Sequence, residues 1–200
     1  MKSRKDNIQP ARLWLVRHGE TEWSISGQHT GRTDLPLTHK GEQNALEIGR
    51  LLKGLSFGMV LTSPLLRARE TCRLAGFGEI AEVDPNLQEW DYGDYEGRTT
   101  HEIQTVRPGW SLWKDGVPGG ETIDQVAGRA QAVIDRVLTS PADVLLFSHG
   151  HMLRVLCCCW LGLPSADGRL FVFATEGVST LGYERETRVI TRLNGGVENL

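Results

Sequence analysis

Two short apolar runs stand out along the chain, because each of them ends abruptly at a polar segment. The first run is residues 13–16, in a strand predicted over 11–16, and the second is residues 144–147, in a strand predicted over 143–147. His18 and His149 each lie two residues beyond a run. Uninterrupted apolar runs of this length are typical of buried strands. Because ligands bind at the carboxyl ends of strands in open α/β sheets, the pattern predicts that both histidines lie at a binding site.

Apolar residues at helical spacing predict three helices, over residues 41–53, 121–138 and 152–161. Thr38 is the predicted N-cap of the first helix, and Gly54 and Gly162 are the predicted ends of the first and third. Shorter patterns predict strands over 59–61 and 80–83, and a closing antiparallel pair over 180–185 and 187–193. An ordered loop over residues 21–40 is expected to cover the site, and a substrate-facing segment with at most one short helix is expected over 98–120.

Another helix is predicted to begin at Ser63 as N-cap, with Pro64 at the first helical position. This start places Arg67 in the first turn, where the helix dipole disfavours a cation. A charge placed against local preference suggests a functional role, although an ordinary solvated arginine is the alternative.

Composition describes an ordinary globular chain. The 200 residues suit one domain, which we expect over residues 11–200 after a flexible tail over 1–10, and 40% of them are hydrophobic. The net charge of −3 provides no basic field for nucleic acid, and no apolar run is long enough to span a membrane. The polar start does not resemble a secretory signal, and three of the four cysteines are consecutive, which makes a poor disulfide framework. A reduced protein of the cytoplasm is therefore expected.

The chemistry that these residues favour is phosphoryl transfer to a histidine. His18 is the expected nucleophile, and Arg17, Arg67 and His149 could surround the phosphoryl oxygens. Glu89 lies in an aromatic segment that disfavours a charged carboxylate, which suits a general acid, although a surface glutamate is the alternative. Such a mechanism needs no cofactor.

Other chemistries have weaker support in the sequence. His149 and His151 are not spaced as a usual chelating pair, and no carboxylate cluster accompanies them, so no metal site is expected. The nucleotide P-loop pattern, the dinucleotide glycine fingerprint and the Gly-x-Ser-x-Gly elbow are all absent from the sequence.

Several motifs, taken together, resemble those of the histidine phosphatase superfamily, which includes the cofactor-dependent phosphoglycerate mutases. They are found in residues 15–21 (LVRHGET), 31–38 (GRTDLPLT), 62–71 (TSPLLRARET), 89–97 (EWDYGDYEG), 120–122 (GET) and 148–150 (SHG). The resemblance implies a three-layer α/β/α fold with a mixed, mainly parallel sheet. It also implies that His18 accepts the phosphoryl group, that Glu89 donates the proton, and that Arg17, Arg67 and His149 form the phosphate pocket.

The same resemblance implies a second group of residues that contact the substrate: Ser24, Gln28, Thr30, Gly31, Tyr92 and Gly150. Ser24 stands where many members have asparagine, so it keeps a donor but has a shorter reach. The wording of residues 22–28, 89–97 and 150–154 is similar to that of sedoheptulose-1,7-bisphosphatase-like sugar phosphatases, whereas residues 98–120 differ from them.

The expected function is that of a metal-independent phosphatase acting on small phosphomonoesters, with sugar phosphates as the expected class. A phosphoglycerate mutase is one alternative, although Trp90-Asp91-Tyr92 follows the predicted acid where mutases resemble one another in having Arg-x-Tyr. A catalytically silent phosphate-binding protein is the other. The expected partner is a small phosphorylated metabolite, and the sequence leaves the oligomeric state open, with a homodimer among the options.

Overall fold

A six-stranded mixed sheet forms the centre of the molecule, in a computed structural model that describes residues 11–196. The predicted tail over residues 1–10 lies outside the described residues. The strands are β1 (Leu13–Arg17), β2 (Met59–Thr62), β3 (Glu82–Val83), β4 (Val144–Ser148), β5 (Val178–Glu184) and β6 (Thr187–Gly195). Their order is β3-β2-β4-β1-β5-β6, with parallel pairing from β3 to β1 and antiparallel pairing from β1 to β6. The predicted mixed, mainly parallel sheet is confirmed.

Helices cover both faces of this sheet. They are α1 (Glu22–Ser26), α2 (His39–Leu51), α3 (Leu66–Leu74), α4 (Thr100–Val106), α5 (Leu112–Asp115), α6 (Ile123–Val137) and α7 (Gly150–Leu161). Three 3-10 segments lie at Pro85–Leu87, Gly93–Tyr95 and Ser165–Leu170. Within residues 11–196, no helix combines the length and the apolar character that crossing a membrane requires.

Alternation along the central strand β1 explains the three layers. Leu13 and Leu15 belong to a core shared with α6 and α7, whereas Trp14 and Val16 belong to a second core shared with α2 and α3. Successive side chains of a strand point to opposite faces, so a continuous apolar run buries both faces of the sheet at once. The three-layer α/β/α architecture is therefore as predicted.

The predicted start of α3 is wrong by two residues. Ser63 does not cap the helix, because its backbone N–H donates to the Phe147 carbonyl at 2.9 Å and so continues the pairing of β2 with β4. The helix begins at Leu66, whose backbone N–H is satisfied by the carboxylate of Asp34 at 2.7 Å. Arg67 nevertheless lies in the first turn, as expected.

Other boundaries also differ from the sequence patterns. The predicted strand over 80–83 reduces to the two residues of β3, and α2 ends at a Leu52 cap rather than at Gly54. Residues 98–120 contain two short helices, α4 and α5, where at most one was predicted, and residues 21–40 contain α1. Gly162 does end α7, with the left-handed φ of 69° that favours glycine.

Candidate active site

The two histidines predicted to lie together do so, at the carboxyl ends of β1 and β4. These strands are parallel neighbours with Arg17 opposite Ser148, and the His18 backbone N–H donates to the Ser148 carbonyl at 2.9 Å. As a result the rings of His18 and His149 have centroids 5.1 Å apart. The sheet register thus produces a pair of imidazoles from residues more than 130 positions apart in the sequence.

A hydrogen bond to the main chain fixes the tautomer of His18. Its Nδ1 lies 2.8 Å from the Gly19 carbonyl oxygen, which can only accept, so Nδ1 carries the proton and Nε2 keeps its lone pair. Burial, followed by the positive charges of Arg17 and Arg67, holds the pKa of His18 well below its usual range. The ring is therefore a neutral imidazole with one nitrogen available for attack.

Two buried arginines supply positive charge beside this ring. Arg67 donates to the carbonyls of Thr30, Gly31 and Thr33 at 2.9–3.0 Å, whereas Arg17 donates to the carbonyl of Phe173 at 2.9 Å. The Nε of each guanidinium is buried and has no protein partner. Burial lowers the pKa of both, with Glu89 acting in the opposite direction. Each Nε–H is thus a spare donor in the interior, suited to an anionic oxygen.

His149 is the N-cap residue of α7 and is fully buried. Its Nε2 lies 2.7 Å from the Ser63 hydroxyl, and its Nδ1 has no partner. Burial, followed by the charges of Arg67 and His18, lowers the pKa of His149 well below its usual range. When the Ser63 hydroxyl donates to Nε2, the proton stays on Nδ1 and makes it a neutral donor. This contact explains why Ser63 is not used as a helix cap.

The carboxylate of Glu89 is held by backbone donors at the start of α7. It accepts from the N–H groups of Trp90 and Met152 at 2.9 Å and from that of His151 at 3.1 Å. The side chain is buried, as a general acid requires, and not a surface glutamate. These three contacts fix the carboxylate at the N-terminus of α7.

Arg129 of α6 fixes the loop that carries Glu89. Its guanidinium donates to the carbonyls of Asn86 and Gln88 at 2.8 Å and forms a bidentate pair with Glu121, both contacts also 2.8 Å. Glu121 in turn accepts from the Asp91 backbone N–H at 3.0 Å. Contacts of Arg129 and Glu121 therefore hold the main chain both before and after Glu89.

A cavity of about 290 Å³ opens between the two histidine loops. The sequence-predicted residues that line it are Arg17, His18, Ser24, Gln28, Thr30, Glu89, Tyr92 and Gly150. Arg67, His149 and Gly31 do not line it. Arg67 and His149 contact residues of its wall, because Arg67 donates to the Thr30 carbonyl and the His149 ring packs beside that of His18. Gly31 instead forms a local structural contact with Glu96.

Gly31 and Ser24 are both occupied by local contacts. The Gly31 backbone N–H donates to the carboxylate of Glu96, and a Cβ at this position would lie 2.6 Å from a carboxylate oxygen of the same residue. The prediction of a substrate contact from Gly31 therefore has no support from the cavity. The Ser24 hydroxyl forms a capping box with Thr21, in which it donates to the Thr21 carbonyl at 2.8 Å and accepts from its N–H at 2.9 Å.

Eight cavity residues were not among the predicted site residues: Trp23, Gly27, His29, Thr100, His151, Arg154, Val172 and Phe173. The signal that could have found two of them is spacing, since His151 and Arg154 are three apart on one helix that begins beside His149. His29 carried a weaker signal, as a histidine within the loop expected to cover the site. Of the segment 98–120 that is predicted to face the substrate, Thr100 lines the cavity, whereas Arg98, Trp110, Trp113 and Lys114 do not.

Within the described range 11–196, no group of three or more His, Cys, Asp or Glu side chains is arranged to hold a metal ion. The positive charge that faces the cavity comes from arginine side chains. A group of this composition can bind a tetrahedral anion, attack it with an imidazole nitrogen and return a proton from a carboxyl group.

Comparison with known proteins gives a consistent family. The model of the histidine phosphatase superfamily (branch 1) matches residues 13–195. An acid phosphatase of Mycobacterium tuberculosis is 41% identical over 190 residues, covering 93% of each chain. A sedoheptulose 1,7-bisphosphatase of Saccharomyces cerevisiae is 39% identical over 184 residues, covering 76% of this chain and 68% of the yeast protein. A solved structure from Mycobacterium tuberculosis superimposes with a TM-score of 0.86 at 39% identity, covering 93% of this chain and 98% of that one.

Proposed function

The chain belongs to branch 1 of the histidine phosphatase superfamily, and from this membership we propose that it hydrolyses small phosphomonoesters, sugar phosphates among them, without a metal ion. The observation that carries the proposal is the His18 ring. Its tautomer is fixed by the Gly19 carbonyl, and it stands among two buried arginines and a second histidine.

In the first half of the reaction, Nε2 of His18 attacks the phosphorus atom of the bound ester. The P–N bond forms as the bond to the ester oxygen breaks, and the leaving oxygen takes a proton from Glu89. In the second half, Glu89 accepts a proton from a water molecule that attacks the phosphohistidine, which releases inorganic phosphate and restores His18. Atoms and charge balance over the two steps.

The arginines stabilise the charge of the transferred group. The free Nε–H groups of Arg17 and Arg67 and the Nδ1–H of His149 are the donors proposed for its equatorial oxygens.

Ser24, Gln28, Thr30, Tyr92 and Gly150 remain proposed substrate contacts, supported by their place on the cavity wall. We also propose a single domain over residues 11–200, with residues 1–10 as a tail, and a location in the cytoplasm. All four cysteines are free, which suits a reducing compartment.

The test is release of inorganic phosphate from a panel of sugar phosphates, sugar bisphosphates, phosphoglycerates and nucleoside monophosphates, in the presence of EDTA. His18→Ala is expected to lose at least about a thousandfold in kcat, because it removes the nucleophile. The matched control is His39→Ala, since that side chain is 87% exposed on the outside of α2. It is expected to retain full activity.

Three results would change the assignment. Loss of activity in EDTA that added magnesium restores would contradict a metal-independent mechanism. Interconversion of 2- and 3-phosphoglycerate with no net phosphate release would identify a mutase. Tight binding of a phosphate ester with no turnover of any substrate would identify a binding protein.

A further inference from the structure

Three polar residues that line the cavity have no role in the mechanism proposed above. Arg154 and His151 lie on the same face of α7, three residues apart, and His29 faces them from the loop that precedes Gly31. The His29 and His151 rings have centroids 6.1 Å apart. These three side chains form a second polar group on the same cavity as His18.

Arg154 is a cation without an acidic partner. Its Nε donates to the Gly168 carbonyl at 2.7 Å, and its guanidinium carbon lies 4.6 Å from the ring centroid of Trp113. Within residues 11–196 no carboxylate forms an ion pair with it, whereas arginines such as Arg129 and Arg136 have carboxylate partners at 2.7–2.9 Å. These contacts fix the position of a half-buried guanidinium and leave its terminal N–H groups for a ligand in the cavity.

The two histidines add neutral polar groups beside this cation. His29 is 8% exposed, stacks on Tyr92 with ring centroids 4.8 Å apart, and has a buried Nε2 without a protein partner. Nδ1 of His151 lies 2.6 Å from the Tyr92 hydroxyl. When that hydroxyl donates to Nδ1, the proton of His151 stays on Nε2 and makes it a donor. A buried, unpartnered nitrogen is costly unless a ligand satisfies it.

We propose that Arg154, His29 and His151 form a leaving-group subsite that binds a second anionic group of the substrate, a second phosphate or a carboxylate. This inference rests on the proposed phosphatase function and narrows it. The transferred phosphoryl group already has Arg17, Arg67 and His149. A third, unpaired arginine on the same cavity loses hydration, and a second anion on the substrate offsets that loss.

The test compares substrates that differ only by the second anion. Values of kcat/KM are measured for fructose 1,6-bisphosphate, fructose 1-phosphate and fructose 6-phosphate, with 3-phosphoglycerate as the carboxylate arm and p-nitrophenyl phosphate as a leaving group without a second anion. The unmodified protein is expected to prefer a doubly anionic substrate by about 10- to 100-fold, the range of a charge-assisted hydrogen bond. Preference for the bisphosphate identifies a second phosphate, and preference for 3-phosphoglycerate identifies a carboxylate.

The decisive variant is Arg154→Gln, which keeps the side chain as far as Cδ with a neutral polar end and removes the charge. It is expected to reduce the ratio of doubly to singly anionic kcat/KM by about 10- to 100-fold, and Arg154→Lys is expected to restore part of that ratio. The ratio is measured on one preparation, so any partly unfolded fraction cancels. The control is Arg73→Gln, on an exposed arginine of α3 that pairs with Glu70 and does not line the cavity, and it should leave every value unchanged.

His29→Phe tests the second component. Phenylalanine keeps the stacking on Tyr92 and removes the unpartnered Nε2. Turnover of the fructose phosphates should therefore fall relative to that of p-nitrophenyl phosphate. The leaving group of p-nitrophenyl phosphate has no comparable set of oxygen atoms for this nitrogen to contact.

Failure of this subsite differs from failure of the proposed function. If Arg154→Gln lowers all substrates equally, or if no substrate with a second anion is preferred, the subsite is wrong while the phosphatase remains. If no substrate gives His18-dependent release of phosphate, the phosphatase itself is wrong.

Discussion

At the scale of single residues, the site depends on groups whose charge is set by their neighbours. Glu89 is held in place by three backbone N–H bonds, and the first half of the proposed reaction needs its proton for the leaving oxygen. A variant of Glu89 that has no acidic proton should therefore lose the most activity on substrates whose leaving oxygen is strongly basic.

Glu89→Gln tests this role. The amide cannot transfer a proton, so kcat for a sugar phosphate, whose leaving alkoxide is strongly basic, is expected to fall by about 10²–10⁴-fold. For p-nitrophenyl phosphate, whose leaving group is stable as an anion, the loss in formation of the phosphohistidine should be much smaller. Rapid-quench measurement of the first turnover separates the two steps. Equal loss of that first step for both substrates would mean that Glu89 does not protonate the leaving group.

At the scale of the elements, sequence pattern predicted those elements whose formation depends on a buried run or a regular apolar stripe. Strands β1 and β4 and helices α2 and α6 are of this kind, and their predicted positions are correct to within two residues. The start of α3 was not predictable, because the Ser63 hydroxyl contacts His149, a residue 86 positions away. Tertiary contacts of this type override local capping preference.

The site residues also divide into those that local sequence can predict and those that tertiary packing places. His18, His149 and the arginines follow or adjoin recognisable elements, so local sequence could suggest them. The N–H donors of Glu89 come from His151 and Met152, and Arg154 lies on a helix that is mostly buried and apolar. Spacing shows that His151 and Arg154 share one face of this helix, but whether that face meets a cavity depends on how α7 packs against the sheet.

The packing of α2 against the His18 loop gives a prediction at this scale. A Cβ on Gly41, in the first turn of α2, would overlap the backbone of Glu20, and one on Gly19 would lie 2.5 Å from the Gly41 carbonyl oxygen. Gly41→Ala must therefore displace the loop that positions His18. We expect a loss of about 2–4 kcal/mol in the free energy of unfolding, together with reduced kcat.

Gly128→Ala is the matched control for this change. Gly128 lies in the exposed part of α6, and a Cβ there would meet no atom within 4 Å. Alanine at a helix interior stabilises by about 0.5–1 kcal/mol relative to glycine, so this variant should be slightly more stable and fully active. Urea unfolding of both variants measures the contrast. Equal stability of Gly41→Ala and the unmodified protein would show that α2 does not constrain the loop.

At the scale of the whole molecule, four of the six histidines are held neutral by burial. The pKa values of His18, His149 and His151 lie well below the usual range and that of His29 is lowered, with burial as the first cause in each case. In the unfolded chain these side chains take up protons near pH 6.5. The unfolded state therefore binds more protons than the folded state below that pH, so stability must fall as the pH falls.

The size of the effect follows from this linkage. A histidine that stays neutral in the folded state while its unfolded pKa is about 6.5 reduces the free energy of unfolding by roughly 1 kcal/mol between pH 6.5 and 5.5. If at least two of the four behave in this way, urea unfolding should lose more than about 2 kcal/mol over that interval. The carboxylates with lowered pKa, such as Glu121 and Asp143, act in the same direction, but their effect begins near their unfolded pKa values, about two units lower. A constant free energy of unfolding from pH 7.5 to 5.5 would show that the site histidines titrate normally, and would remove the basis for a neutral His18 nucleophile at acidic pH.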